Sequence, residues 1–337
     1  MTDSAAPRAV GKGRLAMTLS DNIAPASDRH NLLVGFQFGT SPLPDEYTAI
    51  VNVGLKPINR SELYECWWYE GDVGVTTSGD VRIAQCEDYA VAILQRADPA
   101  QQDFRRATYD AYQKLLSAVR QTGHQHIVKI WNYFSDINDG EGDREKYRQF
   151  SIGRARAFEE YSILDDIVPT GTAIGSICDS DLSIVALLSK HGLRAAENPR
   201  QVSAFKYPRQ YGPKSPKFSR GGCVSIEDHS LFLLSGTAAI IGHESAHPYD
   251  VSLQAGETLQ NLDQLCKAVS ALDKDGRELR LDGECVLRVY LRDPGDRDLV
   301  AERLQEVLGG NCSNVVFLHA DICRRELMVE IDGVRIA

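Results

Sequence analysis

The sequence predicts an α+β fold of two tandem units, because one order of secondary structure occurs twice along its 337 residues. The repeated order is a helix, a strand ending in an aspartate, and a second helix, and its spacing is similar in both halves. The aspartates that end the equivalent strands are Asp136 and Asp293. Repetition of this kind indicates an internal duplication. The joint between the two units is predicted between about Asp165 and Asn198.

The first unit contains a helix, a strand and a second helix. Apolar and small residues recur at helical spacing from Phe104 to Val119, and Gly123 supplies the helix stop. The β-rich run 127–134 follows directly and is predicted to be a strand. A second helix is predicted over about 144–161.

The second unit repeats this order and adds two strands. Apolar residues at helical spacing predict a helix that ends near Gly276, and the run 285–291 is rich in β-forming residues. A short helix follows and is capped by Gly309. The two further strands are the apolar run 233–238 and the C-terminal run 323–333.

Composition limits the class of protein. With 43% hydrophobic and 25% charged residues, the chain has the composition of a soluble globular protein that is long enough for two domains. The net charge of −10 argues against nucleic-acid and anionic-membrane partners, because no basic stripe is available to neutralise phosphates. No apolar run approaches the roughly 18 residues of a membrane span. The cysteines are scattered singly, which predicts a reduced, cytoplasmic protein.

The C-terminal strand carries an acid in mid-run. Glu330 lies between Val329 and Ile331 and alternates with apolar neighbours, so it is expected on a buried face. Burial raises the pKa of an unpaired carboxyl group, and a raised pKa makes it a usable general acid near neutral pH. Glu330 is therefore the first candidate for catalysis. The alternative is an acid on the solvent face of a terminal strand.

The run from His243 to His247 matches the HExxH pattern of zinc proteases. That chemistry requires both histidines one turn apart on a helix. Here the match follows a strand and Gly242, and Pro248 disfavours a helical conformation of the residue before it. We therefore expect a loop and no metal site. No glycine-rich phosphate loop follows a strand, so no cofactor is expected either.

The second half resembles the RidA/YjgF fold. The resemblance rests on the strand that reaches Ser235, on the helix start from Gln254 to Asn261, and on the closing strand at 328–331. The first half resembles this fold more faintly, best at 128–139. The resemblance implies mixed β-sheets with helices packed on one face. RidA-like domains form trimers with sites at subunit joints, so the expectation is either such a trimer or a monomer whose duplicated chain supplies the joint.

The chain is accordingly divided into three segments. Residues 1–29 are predicted to be a flexible lead-in, because they are polar and lack the apolar core of a signal peptide. Residues 30–165 are assigned to a degenerate RidA-like domain and residues 166–337 to a catalytic RidA-like domain. The residues 169–175, rich in threonine and glycine, are predicted to be a loop at the joint.

Over about residues 30–337 the chain is similar to the chorismatases. The matching runs are 197–204, 207–213, 242–245 and 321–325. Chorismatases remove the enolpyruvyl group of chorismate, so the resemblance implies chorismate as the small-molecule substrate. It assigns to Glu330 the protonation of the enol ether methylene carbon.

Chorismate is a dicarboxylate, and a net-acidic protein must supply local cations to bind it. Arg209 is the first candidate, with Tyr211 as a hydroxyl donor, because guanidinium groups pair with carboxylates in a bidentate manner. Arg324 is the second candidate. Thr237, among the small polar residues that end its strand, is also assigned to the substrate site.

The family divides by product, and three residues resemble the hydroxybenzoate-forming types. They are Gln201, Gly236 and Cys323. The resemblance implies 3-hydroxybenzoate, with 4-hydroxybenzoate as a further product of one type; Gly236 leaves room for the ring and Cys323 moves a proton. The alternatives are a hydrolytic chorismatase that forms a dihydroxycyclohexadiene carboxylate, a non-catalytic RidA-like module that binds carboxylates, and a Cys323 that is only a packed small residue.

Overall fold

The computed structural model describes residues 14–25, 29–43, 48–96, 103–165, 167–177, 182–226 and 229–337. In chain order the strands are β1 (Leu15–Ser20), β2 (His30–Phe38), β3 (Ile50–Asn52), β4 (Lys56–Pro57), β5 (Leu63–Glu70), β6 (Gly74–Ser78), β7 (Val81–Gln85), β8 (Tyr89–Arg96), β9 (His126–Ser135), β10 (Thr170–Ser176), β11 (Leu182–Ser189), β12 (Arg194–Ala196), β13 (Gly221–Ile226), β14 (His229–Ala238), β15 (Ile240–Ile241), β16 (Glu244–Ser245), β17 (Val286–Leu291), β18 (Val315–His319) and β19 (Val329–Ile336). The helices are α1 (Phe104–Val119), α2 (Lys146–Glu160), α3 (Val251–Ser270) and α4 (Arg297–Leu308).

Two large sheets have the same strand order. The first runs β6-β7-β8-β11-β9-β10 and the second runs β12-β13-β14-β19-β17-β18, with β4 added at its edge. In each sheet the last two strands are parallel, and α2 or α4 connects them. The predicted duplication and the α+β class of two RidA-like units are therefore confirmed.

Helices cover one face of each large sheet. In the first unit, Tyr112 and Leu115 of α1 and Phe150 of α2 pack on Ile130 and other side chains of that face. Helices α3 and α4 cover the second sheet in the same way. The opposite faces share one apolar core, in which Trp131 and Val185 of the first sheet belong to the same cluster as Leu233 and Val334 of the second. The two units are thus joined by a continuous apolar core.

A small third sheet extends the shared core. Its strand order is β1-β5-β2-β3, and β1 pairs with β5 from Leu15↔Tyr69 to Ser20↔Tyr64. The prediction of a flexible lead-in over residues 1–29 is therefore wrong for Leu15–Ser20, because Leu15 and Ala16 are buried against this sheet. Residues 1–13 lie outside the described residues. The Trp67 side chain of β5 is buried and belongs to the shared apolar core.

The strands of the first sheet extend beyond the predicted boundary at 165/166, because β10 and β11 belong to that sheet. Strands β10 and β11 pair within the first sheet, so a boundary at 165/166 would separate them from β9 and β8. We propose a boundary between Ser189 and Arg194, inside the predicted joint. The predicted loop 169–175 is mostly strand β10, because its small side chains permit close packing: a Cβ on Gly171 would approach the Cβ of Phe218 to 2.9 Å.

Most predicted elements lie where the patterns indicated. The predicted helices at 104–123 and 144–161 correspond to α1 and α2, and the strand 127–134 to β9. Helix α3 ends at Ser270, six residues before Gly276, which lies in a turn with φ of 72°. Among the described residues, the model contains no helix with the length and hydropathy that a membrane crossing requires.

Candidate active site

A cavity of about 670 Å³ lies at the joint between the two units. Helix α2 and strand β10 of the first unit line one side, and β14 and the segment 323–330 of the second unit line the other. This volume is within the roughly 300–1,000 Å³ that is typical of small-molecule sites. Residues of both units therefore contribute to the cavity.

Glu330 lies in the wall of this cavity, on β19. It pairs with Ala238 of β14 and Tyr290 of β17, and its side chain is buried with 5% of the residue exposed. Burial raises the pKa of the Glu330 carboxyl to about 8, and the nearby negative charge of Asp332 acts in the same direction. Arg220 and Lys129 oppose this rise. The predicted burial and raised pKa of Glu330 are confirmed.

Gly236 provides the space that the Glu330 carboxylate occupies. A Cβ at position 236 would overlap Oε1 of Glu330 and would lie 3.3 Å from Cγ2 of Thr172. The family resemblance implies that Gly236 makes room for a substrate ring. The structure gives a different immediate reason for glycine, because any side chain there displaces the acid.

Cys323 is half-buried and adjacent to the acid. Its Sγ lies 4.0 Å from Oε2 of Glu330. Burial, reinforced by the charge of Glu330, raises the pKa of the Cys323 thiol to about 12. The side chain is therefore a neutral thiol at neutral pH, which disfavours nucleophilic attack by Cys323.

The first predicted carboxylate ligand, Arg209, does not line the cavity. Its guanidinium is exposed and forms a bidentate pair with Asp143, with Nη1–Oδ1 and Nη2–Oδ2 distances of 2.9 and 2.5 Å. This ion pair disfavours Arg209 as a carboxylate ligand, because both of its terminal nitrogens already donate to Asp143, and its assignment to the substrate stays a prediction.

Two buried arginines that the sequence analysis missed line the cavity instead. Arg154 of α2 is 2% exposed and lies over the ring of Phe150, and its Nε and Nη2 have no hydrogen-bond partner among the described residues. Arg220 is 4% exposed, and its Nη2 donates to the carbonyl of Val202 and the hydroxyl of Tyr207 at 3.0 and 2.6 Å. Such buried guanidinium groups are suited to bind carboxylates.

One sequence signal could have identified Arg154. Phe150, Arg154 and Phe158 are spaced four residues apart and occupy one buried face of α2. An arginine on an apolar helical face indicates a buried partner or ligand. Arg220 offers no comparable signal, because it follows a loop and precedes two glycines.

Tyr211 and Arg324 both line the cavity, as predicted, but they also contact each other. The Arg324 guanidinium lies 4.0 Å from the centroid of the Tyr211 ring, and its Nη1 donates to Oγ of Ser245 at 3.0 Å. The Tyr211 hydroxyl lies 3.2 Å from Nδ1 of His243. These two side chains form an aromatic and cationic wall opposite Glu330.

The HExxH match is not helical. Glu244 and Ser245 form the short strand β16, and His247 has a φ of 51°. The predicted loop is therefore confirmed, and no group of three potential metal ligands occurs in the described part of the chain.

Gln201 and Thr237 are not part of the cavity lining. The Gln201 Nε2 donates to the carbonyl of Ile240 at 3.1 Å, and the Thr237 hydroxyl donates to the carbonyl of Ser235 at 2.9 Å. Both side chains therefore donate hydrogen bonds to backbone carbonyl groups of their own unit. These contacts do not favour Gln201 and Thr237 as substrate ligands, and their assignment to substrate binding stays a prediction.

Comparison with known proteins identifies relatives of this chain. Residues 65–188 match the family described as Chorismatase FkbO/Hyg5-like, N-terminal. The chain is 32% identical to a 3-hydroxybenzoate synthase of Streptomyces hygroscopicus over 68% of this chain and 69% of that protein. It is 32% identical to a chorismatase of Streptomyces rapamycinicus over 80% and 81%. A chorismatase crystal structure superposes with a TM-score of 0.85 at 26% identity, covering 97% of this chain and all of that one.

The chain belongs to the chorismatase family. The family match at 65–188 ends one residue before the end of β11, which supports a unit boundary after Ser189.

Proposed function

We propose that this protein is a chorismatase that converts chorismate to 3-hydroxybenzoate and pyruvate. The observation that carries the proposal is a buried carboxyl group, Glu330, whose raised pKa keeps it protonated near neutral pH in a cavity that also contains buried guanidinium groups. A protonated acid beside cations is the combination that an anionic enol ether requires.

Two arginines are proposed to bind the two carboxylates of chorismate. Arg220 acts electrostatically on Glu330, so we assign it to the carboxylate of the enolpyruvyl group, which must lie next to the acid. Arg154 is assigned to the ring carboxylate, because it lacks partners for two of its guanidinium nitrogens among the described residues. Arg324 and Tyr211 complete the wall.

Glu330 is proposed to donate its proton to the methylene carbon of the enol ether, which becomes the methyl group of pyruvate. The positive charge that develops on the ether-bearing carbon is stabilised by the carboxylate that Glu330 has become. The bond between the ring carbon and the ether oxygen then breaks, and pyruvate leaves with that oxygen.

In the hydroxybenzoate-forming branch, the neighbouring ring hydroxyl displaces pyruvate and forms an arene oxide, which opens to the aromatic product. The proton of the attacking hydroxyl restores Glu330. When the arene oxide opens, the ring loses one proton from carbon, and the epoxide oxygen takes up one proton to become the phenolic hydroxyl. We propose the Cys323 thiol as the proton carrier, because it lies 4.0 Å from Glu330 and stays protonated. The relative named 3-hydroxybenzoate synthase favours this branch. In the hydrolytic alternative, water replaces the ring hydroxyl and the product is a diene diol.

Incubation with chorismate tests the proposal directly. We expect pyruvate release, followed with a coupled dehydrogenase, in equal amount to 3-hydroxybenzoate separated by chromatography. A share of 4-hydroxybenzoate identifies the type that forms both isomers. Pyruvate with only the diene diol replaces the proposed branch by the hydrolytic one. Chorismate binding without pyruvate release contradicts the enzyme and supports the binding module.

Cys323 and Gly236 are expected to differ in their effects on this reaction. Cys323→Ala should retain pyruvate release while the product shifts towards the diene diol, because only proton movement during aromatisation is impaired. Gly236→Ala should lower pyruvate release itself by at least about tenfold, because the new methyl group displaces the acid. Cys312→Ala, a half-buried cysteine outside the cavity, is the matched control and should leave the product unchanged. An unchanged product ratio in Cys323→Ala makes Cys323 a packing residue only.

A further inference from the structure

We propose that four buried charged residues, Glu65, Lys129, Arg288 and Asp332, form a charge-neutral cluster that positions Glu330 and balances the opposite charges that act on its ionisation. The proposal rests on the proposed role of Glu330 as general acid. These four are positioning residues, because they act through Glu330 and none of them lines the cavity. We refer to them as the core charge cluster.

Lys129 and Asp332 connect the two units close to Glu330, because Asp332 is two residues from it on β19. Lys129 of β9 is fully buried, donates to the carbonyl of Leu234 at 2.6 Å, and lies 3.5 Å from Oδ2 of Asp332. Oδ2 of Asp332 also accepts from Nε1 of Trp131 at 3.0 Å and from the hydroxyl of Thr172 at 2.7 Å. The carboxylate of Asp332 is therefore held by groups from two strands of the first unit.

Glu65 and Arg288 form the second pair of the cluster. Arg288 of β17 donates from Nε and Nη2 to the two oxygens of Glu65 at 2.7 and 2.6 Å, and from Nη1 to the hydroxyl of Tyr133 at 2.7 Å. Glu65 also accepts from Nε1 of Trp67 at 2.8 Å. Glu65 and Arg288 are no more than 2% exposed, so water contributes little to their solvation.

The strand register brings the cluster to Glu330. Glu330 and Asp332 are two residues apart on β19 and therefore share a face. Their partners on β17 are Tyr290 and Arg288, which share that face too. Thr172, which donates to Asp332, also lines the cavity next to Gly236 and so reaches the acid's immediate surroundings.

The other ionisable groups around Glu330 do not alter this balance when substrate is bound. Tyr147 of α2, Tyr290 of β17 and Cys323 have pKa values raised by burial and are neutral near pH 7. Arg154 and Arg220 are cations, and the two carboxylates of bound substrate neutralise them.

The charges of the cluster cancel, because Lys129 and Arg288 offset Glu65 and Asp332. An ionised Glu330 would therefore add an uncompensated negative charge to a buried region, which is costly, whereas a protonated Glu330 leaves the region neutral.

Burial lowers the pKa of Lys129 to about 8, with Asp332 opposing the change. Lys129 and Glu330 thus titrate in the same range, and the loss of activity at alkaline pH reports the coupled pair.

The pH dependence of kcat at saturating chorismate tests the cluster, since it reports ionisations of the enzyme–substrate complex. Wild type should lose activity as pH rises through about 8.

Lys129→Gln removes the cation and keeps a donor for Leu234, so the alkaline limb should move to higher pH by about one pH unit. The double variant Lys129→Gln/Asp332→Asn is neutral again, and its limb should return towards the wild-type position. Asp332→Asn alone should move the limb to lower pH, which keeps the test decisive if Lys129→Gln does not fold.

Asp273→Asn is the matched control, because Asp273 is a buried carboxylate of the same unit that accepts from Ser230 away from the cavity. It should lower stability without moving the limb. Limbs that coincide in folded Lys129→Gln, Asp332→Asn and wild type overturn the proposal and reduce the cluster to a structural role. Failure of the proposed function is distinguishable, because wild type then releases no pyruvate from chorismate, whereas a different general acid would leave Glu330→Gln active.

Discussion

Glu330→Gln is expected to remove turnover while the protein still binds substrate. Glutamine keeps the shape of the side chain but has no proton of suitable acidity, and loss of a general acid lowers rates by about 10²–10⁴. Pyruvate release measures kcat, and binding of chorismate by calorimetry measures the retained affinity. Glu326→Gln is the matched control: Glu326 lies in the same cavity wall but accepts a hydrogen bond from Ser245, so we expect less than about a tenfold loss. If Glu330→Gln retains activity and Glu326→Gln loses it, Glu326 is the acid.

The same substitution is expected to change how stability depends on pH. The folded-state pKa of Glu330, about 8, is raised above the roughly 4.3 of an unfolded glutamate, so the proton stabilises the folded state at low pH. This contribution is fully present below about pH 4 and is lost as pH rises through 8. Glu330→Gln does not titrate, so its unfolding free energy relative to wild type should be higher at pH 9 than at pH 4 by about 5 kcal/mol. Urea unfolding at the two pH values measures the difference.

Arg220→Met is expected to lower kcat/KM by about 30- to 4,000-fold. The substitution leaves a substrate carboxylate unpaired in a buried site, and truncation of one partner of a buried charge pair costs about 2–5 kcal/mol. Arg154→Met should have an effect of similar size, because Arg154 is equally buried.

Arg209→Met is the matched control for both arginines. Arg209 is exposed and pairs with Asp143, and surface ion pairs contribute about 0–1 kcal/mol. We expect kcat/KM within about fivefold of wild type. Steady-state pyruvate release with thermal unfolding of each variant separates lost binding from lost folding. A large loss in Arg209→Met with normal Arg220→Met would restore the assignment that the sequence favours.

The elements of this protein could be predicted where the signal is local. The apolar spacing in α1, the β-rich runs of β9 and β17, and the glycine after α4 depend on neighbours within a few residues, and each lies where the pattern indicated. The burial of Glu330 belongs to the same class, because alternation along one strand determines which face a side chain takes. The sequence by itself therefore determined the α+β class, the duplication and the candidate acid.

Tertiary structure alone decided which cations reach the acid. Arg209 has the sequence context of a binding residue, but Asp143, 66 residues away, occupies its guanidinium. Arg154 of the first unit and Arg220 of the second line one cavity only because the two units pack together. No local pattern reports such a meeting, because hydrogen bonding and Coulomb interaction depend on distance in space and not on separation along the chain.

The same reason explains the position of β10 and the surroundings of Glu330. The small residues of β10 look like a loop until the close approach of Phe218 gives them a buried neighbour. The contact of Gly236 with Glu330 and the pairing of Lys129 with Asp332 join residues 94 and 203 positions apart in the sequence. The sequence identified the acid, whereas the fold determined its protonation state, because a pKa depends on burial and on the charges that packing brings within a few ångströms.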